Sequence, residues 1–402
     1  MIDFPASPTI GQQFTAAGVT WVWDGTKWAA SGLSVAFLPL AGGNMSGPIV
    51  LAADPAANLQ AATKQYVDGV RYGDNRIING DMRIDQRNSG ASGTANGYTV
   101  DRWQYVGSQA AKGTWGRNGG GSGQVGPALF PYCLGFASAS AYVSLAADYF
   151  MFDQIIEADM VSDFAWGTAN AQSVTLSFWA QSSLTGTFSG SVTNVAQNRS
   201  YPFTFSLPTA NVWTKISVTI PGDTAGTWVR YGNAGSVVVW FDLGCGSTNR
   251  GPANTWAAAQ YFGASGAVSV VGTNAANFFI TGVKLEVGSV ATPFNRQSLA
   301  KSMADCQRYY QRLGSRGTDI IMQGYTGAGG TPVAFSVGYP VTMRAAPTAT
   351  QVGAWTITGV GTPLTYWPGL TSVGAGSSST GAGSCQIYNT DNTGYISLSA
   401  EL

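Results

Sequence analysis

The segment from residue 173 to residue 241 contains three runs in which large apolar residues alternate with small or polar ones. These runs read SVTLSFW (173–179), WTKISVTI (213–220) and SVVVWF (236–241). Successive side chains of an extended strand point to opposite faces, so each run directs one apolar face toward a core. Short runs of this kind, separated by turn residues, recur roughly every ten residues between 110 and 290. The spacing predicts an all-β sandwich.

The composition is typical of turn-rich β structure. The 402 residues include 53 Gly, 13 Trp, 17 Tyr and 18 Phe, but only 20 basic and 20 acidic residues and no His. Glu occurs only at positions 157, 286 and 401, which argues against long exposed helices. The length allows about two or three domains. A formal net charge of zero gives no electrostatic footprint for nucleic acid or an anionic membrane, so nucleic acid is not an expected partner.

Two further features concern the cellular compartment. The N-terminal sequence MIDFPASPTIGQQF (1–14) lacks the basic and apolar regions of a secretory signal, and no stretch is apolar enough to span a membrane. We therefore expect a protein that is made in the cytoplasm and stays there or leaves by lysis. Cys133, Cys245, Cys306 and Cys385 are far apart in sequence, which predicts buried free thiols instead of disulfides or a zinc site.

Residues 1–33 are rich in aromatic side chains. The alternating run VTWVW (19–23) is followed by the turn signal Asp24-Gly25, which predicts a β-hairpin. Three Trp within eight residues are too much apolar area for a free-standing hairpin, so they either form a mini-core or dock on another protein. The candidate docking residues are Trp21, Trp23 and Trp28.

Residues 34–72 separate this head from the rest of the chain. LPLAGGNMSGPIVL (38–51) predicts short strands broken by Gly-containing turns, and the periodicity that follows predicts an amphipathic helix over 57–70. A helix of two to three turns is marginal in water by itself, so it requires partners, and identical chains are the simplest source. The candidate self-association residues are Leu59, Ala62 and Tyr66.

The sandwich is expected to occupy residues 73–297, and its first part is unusually polar. These side chains are best explained as structural groups that satisfy backbone atoms and each other in tight turns. They are Asn75, Asn79, Asp81, Gln86, Arg87, Asp101 and Arg102. A short helix is expected over 298–315, with an apolar stripe of Leu299, Met303, Cys306 and Tyr310 that packs either on the sandwich or around a three-fold axis.

Several of these segments resemble tail fibres of bacteriophages and prophages. The matching motifs are FPASPTIGQQFTAAGVTWVWDGTKW (4–28), LPLAGGNMSGPIVL with AATKQYVD (38–51 and 61–68), NRIINGDMRIDQR with DRW (75–87 and 101–103), FFITGVKLEVGSVATPFNRQ with CQRYY (278–297 and 306–310), and YPVTMRAAPTAT (339–350). Lys284 and Asn295 depart from the pattern, which usually has Gln and Glu there.

The resemblance implies a parallel homotrimer in the virion, made in the host cytoplasm and acting at the bacterial cell surface. Its parts would be a virion-attachment hairpin domain (1–33) that joins phage baseplate or tail-tip proteins, a linker with a short trimerising helix (34–72), a jelly-roll, carbohydrate-binding-like sandwich (73–297), a short helix (298–315) and a β-rich distal tip (316–402). The expected receptor is a host surface polysaccharide or an outer-membrane protein. A glycan-cleaving tailspike and a head or neck fibre of the same architecture are the alternatives.

The tip, residues 316–402, combines Gly, Ser, Thr and Pro with scattered aromatic residues. Sugars bind to aromatic faces with amide and hydroxyl groups beside them, often on loops, and the sequence places several aromatic residues of the tip in loops. Any one of them can equally belong to the core of a small domain, and the sandwich is the competing site. The candidate glycan-binding residues are Trp355, Tyr366, Trp367, Tyr388, Asn389 and Asp391.

The sequence offers little chemistry for catalysis. Without His neither a Ser-His-Asp nor a Cys-His arrangement can form, and no Gly-rich phosphate loop or long β-helix repeat is present. Asp153, Glu157 and Asp159 share one face of a predicted strand, so a glycosidase-like carboxylate pair or a calcium site is conceivable, although a hydrogen-bonded face is the interpretation we favour. The whole acidic cluster is Asp148, Asp153, Glu157, Asp159 and Asp163. We expect no enzyme, no cofactor and no bound metal.

Overall fold

The computed structural model describes residues 2–31, 75–120, 123–127, 129–314, 320–389 and 393–402. The chain divides into two compact units, Met1–Tyr66 and Val67–Leu402. Strands dominate the described part of each unit, which confirms the predicted all-β class. Across these described ranges, no helix is long and apolar enough to cross a membrane. The linker predictions, including Leu59, Ala62 and Tyr66, lie outside the described residues.

The first unit contains an antiparallel sheet of β1 (Gln13–Ala16), β2 (Val19–Trp23) and β3 (Trp28–Ser31). The predicted hairpin is the β2–β3 pair, and β1 extends it. Oδ1 of Asp24 closes the turn by accepting hydrogen bonds from the amides of Lys27 and Thr26, each 2.8 Å long. Because these bonds stabilise the carboxylate, they lower the pKa of Asp24.

Aromatic rings pack together in this unit. The ring of Phe4 stacks on Trp28 and meets Trp21 edge-on, with centroids 5.4 Å apart in both pairs. Phe14 lies 5.6 Å from Phe4, and Trp23 lies 5.7 Å from Trp28. All three tryptophans therefore join a mini-core, the first of the two predicted alternatives. Docking on another protein stays a prediction.

The second unit begins with a β-sandwich of jelly-roll type. Its strands are β4 (Gly97–Tyr98), β5 (Gln104–Gly107), β6 (Gly113–Gly116), β7 (Leu134–Ser138), β8 (Phe150–Glu157), β9 (Val174–Ser182), β10 (Gly186–Asn194), β11 (Ser200–Leu207), β12 (Thr214–Ile220), β13 (Gly235–Asp242), β14 (Arg250–Gly251), β15 (Gly263–Ala264) and β16 (Asn277–Val287). The six-stranded sheet has the order β11-β10-β13-β8-β5-β4, and the five-stranded sheet has the order β12-β9-β16-β7-β6. The short strands β14 and β15 pair separately in parallel.

The main hydrophobic core lies between the two sheets. Its inward residues occupy alternate strand positions, Val174, Leu176, Phe178 and Ala180 on β9 and Val237, Val239 and Phe241 on β13. Phe178 meets Phe241 and Phe205 edge-on, with ring centroids 5.0 and 5.1 Å apart. The alternation in the sequence therefore decides which side chains face the core.

The outer face of β13 is covered as well, which the sequence pattern does not indicate. Trp240 points outward from β13, and its ring centroid lies 4.8 Å from that of Phe262 in the loop before β15. Met151, Val238 and Cys245 complete this second cluster. Every residue of β13 is buried for this reason.

The polar motif at the start of the sandwich is structural, as predicted. The Asn79 side chain donates to the carbonyl of Ile84 at 2.8 Å and accepts from its amide at 3.0 Å. Asn75 donates to the carbonyl of Val283 at 2.9 Å and accepts from the amide of Leu285 at 3.0 Å. The Asn79 bonds close the motif on itself, and the Asn75 bonds attach it to β16.

Helix α1 (Leu299–Gln307) begins after Ser298, whose hydroxyl accepts a hydrogen bond from the Lys301 amide. Its buried positions are Ser302 and Cys306, while Leu299 is 59% exposed. Leu299 therefore does not pack on the sandwich, and its packing around a three-fold axis stays a prediction. The helix turns Ser302 inward because the Ser302 hydroxyl accepts a hydrogen bond from the guanidinium of Arg83 at 2.9 Å.

In its described residues, the tip consists of three antiparallel sheets of three strands each. Its strands are β17 (Tyr310–Leu313), β18 (Ile320–Thr326), β19 (Pro332–Gly338), β20 (Thr348–Val352), β21 (Trp355–Thr358), β22 (Thr365–Pro368), β23 (Ser372–Ser378), β24 (Gly383–Asn389) and β25 (Tyr395–Ser399). The sheet orders are β17-β25-β20, β18-β24-β21 and β19-β23-β22. Residues 310–313, which lie inside the predicted helix 298–315, are a strand instead because they pair with the C-terminal β25.

Charged side chains connect the tip to the sandwich. Arg102 is 2% exposed and pairs with Glu401 near the C-terminus. Glu157, at the end of β8, accepts hydrogen bonds from Arg308 at 2.8 Å and from Arg344 at 3.2 Å. Breaking a buried ion pair leaves an uncompensated charge, so these contacts hold the two parts in one orientation.

All four cysteines are free and buried, as predicted. Burial raises the pKa of the Cys133 thiol to about 12, although a hydrogen bond with the Asn118 backbone lowers it. This thiol is a poor nucleophile because little thiolate is present at neutral pH.

Candidate functional site

Trp367 is the most exposed tryptophan of the tip, with 54% of its surface open to solvent. It lies on β22, opposite Gly374 of the neighbouring strand β23. A Cβ atom at Gly374 would stand 3.3 Å from Cε3 of the indole, and one at Gly376 would stand 3.2 Å from Cη2. Gly376 is buried although it faces outward. The indole therefore lies over a floor of two glycines.

Hydroxyl groups flank this indole on the same outward face. Strand parity places Thr365 there from β22, and Ser336 opposite Gly374 from β19. Both residues are exposed. An aromatic ring with hydroxyls beside it can stack on the C–H face of a sugar while hydrogen bonds set its orientation. We call Trp367, Gly374, Gly376, Thr365 and Ser336 the tip face.

A second sheet of the tip also presents aromatic and polar groups to solvent. Tyr325 on β18 is 78% exposed and lies opposite Ser384 of β24. Tyr388 is half-buried and lies on the same outward face, since Ile387 between it and Gln386 belongs to the tip core. Tyr325 was not among the candidates from sequence, and its neighbours Gly324 and Thr326 give no apolar alternation that could have indicated an outward position.

The structure separates the sequence-predicted tip residues. Trp355 and Tyr366 pack against the tip core, and Nε1 of Trp355 donates to the Val352 carbonyl at 2.8 Å. The Tyr366 hydroxyl lies 3.0 Å from Oε1 of Gln351, and burial raises the pKa of Tyr366. Trp355, Tyr366, Trp367 and Tyr388 all lie on strands, so the prediction that they occupy loops is wrong.

Two of the predicted tip residues are described only in part or not at all. Asn389 is the last residue of β24, where its backbone pairs with Trp355. Asp391 lies outside the described residues. Of the four candidates whose side chains are described, Trp367 and Tyr388 are the ones that the strands turn outward.

A groove of about 330 Å³ lies on the outer face of the five-stranded sheet. Trp179 of β9 lies on its floor and is half-buried, directly between Lys215 of β12 and Thr281 of β16. The walls come from two loops and include Phe130, Thr292, Phe294 and Arg296. We call this set of residues the sandwich groove.

A bulge in β16 shapes the sandwich groove. The register of β16 with β9 shifts between Thr281 and Lys284, and Gly282 there has φ +61°. A Cβ at Gly282 would stand 2.8 Å from Cζ of Phe130, so only glycine lets this ring approach the sheet. The Phe130 ring in turn meets Phe294 edge-on at 5.2 Å.

A buried ion pair supports the second wall of the groove. Nζ of Lys284 lies 3.0 Å from Oε2 of Glu286, and both side chains are nearly inaccessible to solvent. Glu286 accepts a hydrogen bond from the Thr292 amide at 2.8 Å. Lys284, which departs from the fibre pattern, is therefore a structural residue.

The acidic cluster is distributed over separate contacts. No group of three or more acidic or Cys side chains within the described ranges could hold a metal ion. Asp163 pairs with Arg76 at 2.6 Å, Asp159 accepts from the Gly232 amide, and Glu157 accepts from Arg308 and Arg344. Desolvation opposes the ionisation of Asp148, but hydrogen bonds from Ser108 and Tyr142 lower its pKa to about 2.

Asp153 and Glu157 lie on the outer face of β8, as their parity predicts, since Phe152 and Ile156, each directly before one of them, face the core. Asp159 does not share that face, because the strand ends at Glu157 and a 3-10 helix, Ala158–Phe164, follows. Four residues of extended strand span about 13 Å. Paired carboxylates of glycosidases are about 5–9.5 Å apart. The spacing argues against a catalytic pair.

Asp153 is unusual among these acids. It is 2% exposed, and its Oδ1 has no hydrogen-bond partner within the described part of the chain. Burial raises the pKa of Asp153 to about 8, although the positive charge of Arg102 lowers it. The group is therefore largely protonated at neutral pH.

No protein-family model matches this chain, and no curated protein matches it. Among solved structures, the enzymatically active domain of tailspike protein 4 from bacteriophage CBA120 matches 53% of this chain, with 12% identity and a TM-score of 0.29. The match spans only 21% of the tailspike chain.

Two carbohydrate-binding domains are also similar. The family 11 carbohydrate-binding module of Clostridium thermocellum Lic26A-Cel5E covers 51% of this chain and 98% of its own, with 8% identity and a TM-score of 0.24. The N-terminal cellulose-binding domain of Cellulomonas fimi β-1,4-glucanase C covers 44% and 90%, with 11% identity and a TM-score of 0.23. Likenesses this weak assign no function to the chain.

Proposed function

We propose that this chain is a receptor-binding fibre protein of a bacteriophage and that its tip binds a host cell-surface glycan. The observation that carries the proposal is the exposed indole of Trp367 lying over Gly374 and Gly376. Covering an exposed tryptophan costs little desolvation free energy, and stacking of a sugar ring on the indole contributes favourably to binding. A ring held against a glycine floor is also ordered before the ligand arrives, which lowers the entropic cost of binding.

The remaining parts of the proposal rest on the sequence motifs. Residues 1–33 would attach the fibre to baseplate or tail-tip proteins, and residues 34–72 would hold three chains in parallel. The protein would then be a homotrimer in the virion and act at the bacterial surface. A head or neck fibre differs from this proposal only in the partner of the first unit.

The test is binding of the full-length protein to a glycan array and to bacterial cells. Trp367→Ala should weaken binding about tenfold or more, which corresponds to about 1.4 kcal/mol. Tyr231→Ala is the matched control, because Tyr231 is an aromatic residue of the sandwich that is 73% exposed. Equal loss in both variants, or none in either, would contradict the tip assignment. Cell binding that survives periodate oxidation of the glycans would indicate an outer-membrane protein as the receptor.

A glycan-cleaving tailspike is the second candidate function, and the burial of Asp153 without a hydrogen-bond partner for Oδ1 is the feature that favours it. Raised carboxyl pKa values are common among general acids. We nevertheless propose that the chain does not cleave, since Glu157 is occupied by Arg308 and Arg344. The measurement is release of reducing ends from purified lipopolysaccharide or capsule. Release by the wild type that Asp153→Asn abolishes would establish the tailspike function.

A further inference from the structure

We infer that the sandwich groove is a second binding site, separate from the tip face, and that it takes an acidic saccharide whose rings carry carboxylate groups. None of its residues belongs to the tip. The inference therefore does not depend on Trp367. It rests on three features of the groove, which are its aromatic floor, its exposed cation and its cationic wall.

The aromatic floor is suited to a sugar ring. Trp179 lines the groove and is only half-buried, so part of its indole is open to a ligand. Phe294 lines the groove from the facing loop. The space of about 330 Å³ is within the usual range for small-molecule sites, about 300–1,000 Å³, and accommodates one or two sugar rings.

The exposed cation is Lys215, which lies directly across the strand pair from Trp179. Lys215 is exposed and forms no ion pair or side-chain hydrogen bond with any described residue. A carboxylate on a sugar stacked over Trp179 would lie within reach of its ammonium group. A neutral sugar would leave that charge without a partner.

The cationic wall is formed by Arg296. Its Nε lies 3.2 Å from Oδ2 of Asp81, but Asp81 also pairs with Arg83 at 2.6 Å. One carboxylate thus faces two guanidinium groups, which leaves an excess of positive charge. Among the described residues, no Asp or Glu lines the groove itself. In a chain of formal net charge zero, this local excess favours an anionic ligand.

Ser177 lies beneath the groove. It is two residues before Trp179 on the same outward face of β9, but it is buried. A stacking ring with cations beside it fits an acidic sugar better than a free inorganic anion, which has no face to stack.

The test uses the full-length protein and tetragalacturonate, with its methyl ester as the neutral analogue of the same sugar. Titration calorimetry at low salt should detect binding of the acid, and the methyl ester should bind about tenfold more weakly or worse. Rising salt should weaken the binding of the acid and leave the binding of the methyl ester unchanged. No binding of the acid, or equal binding of the two forms, would overturn the inference. If inorganic phosphate competed at concentrations similar to those of tetragalacturonate, the groove would be a simple anion site, and the inference would also be overturned.

Variants locate the binding. Lys215→Gln should weaken tetragalacturonate binding about three- to tenfold while Lys215→Arg retains it, and Trp179→Ala should weaken it about tenfold. Lys112→Gln removes the same charge from a residue that does not line the groove and should have no effect. Trp367→Ala should leave this binding unchanged. If Trp367→Ala abolished it and Lys215→Gln did not, the acidic sugar would belong to the tip face.

Discussion

Asp153 shows how far a single residue can depart from what its sequence position indicates. It is an acid in an alternating strand and would ordinarily face water. Instead the outer face of the six-stranded sheet is covered around Trp240, so Asp153 is buried and its carboxyl pKa is about 8. In a chain without His, few other groups titrate between pH 5.5 and 8.5.

Stability should therefore fall as the pH rises toward 8. The folded-state pKa of this acid is above the unfolded value of 3.8, so the unfolded chain loses the proton first and is favoured as pH increases. The loss between pH 5.5 and 8.5 should be up to about 3 kcal/mol in the free energy of unfolding, and it should level off above the folded pKa. Denaturant unfolding at both pH values measures it.

Asp153→Asn is the control for this prediction, because it keeps the shape and removes the ionisation. The variant should show little change in stability over the same pH interval. A pH dependence equal to that of the wild type would show that another group is responsible.

At the scale of elements, the end of β8 is the point where sandwich and tip meet. Glu157 at this strand end forms ion pairs with Arg308, which follows α1, and with Arg344, which precedes β20. The side chain of Glu157 is 3% exposed, so its charge depends on these two partners. Glu157, which the sequence offered as a possible catalytic residue, is therefore a structural joint between the sandwich and the tip.

Glu157→Gln should lower the free energy of unfolding by about 1–3 kcal/mol, because it leaves two partly buried guanidinium groups without a carboxylate. Thermal unfolding measures the change as a lower Tm. Asp305→Asn is the matched control, since the Lys301–Asp305 pair is more exposed and should contribute no more than about 0.5 kcal/mol. Equal effects of the two substitutions would contradict the role of Glu157 as a joint.

For the whole molecule, the described strands of the first unit all lie within residues 1–33, so this segment can be removed without cutting a strand of the second unit. Deletion of residues 1–33 should leave a folded, soluble trimer that no longer enters the virion. Light scattering at micromolar concentration measures the mass, and immunoblotting of purified particles measures incorporation. A monomer, for the full chain or the deletion, would refute the trimer, and normal incorporation of the deletion would refute the attachment role.

The pairing of β17 with β25 determines where the tip can be exchanged for that of another fibre. Because β17 pairs with β25, a cut after residue 312 would split one sheet of the tip and remove the partner of Arg102. A tip replacement that starts before Tyr310 keeps the sheet whole. Such a chimera should change which cells are bound while the trimer persists.

The amino-acid sequence by itself determined the all-β class, the hairpin of the first unit and the inward faces of β9 and β13, because strand alternation and turn chemistry are local properties. It also indicated that the Asn79 and Asn75 motif is structural. Tertiary structure alone decided which tip aromatics face outward, since Trp355 and Trp367 look alike until the pairing of their strands is known. Tertiary structure likewise brought Trp179 beside Lys215 across β9 and β12 and buried Asp153. Cross-strand register and the covering of a second sheet face both depend on contacts between distant segments, which the local sequence does not specify.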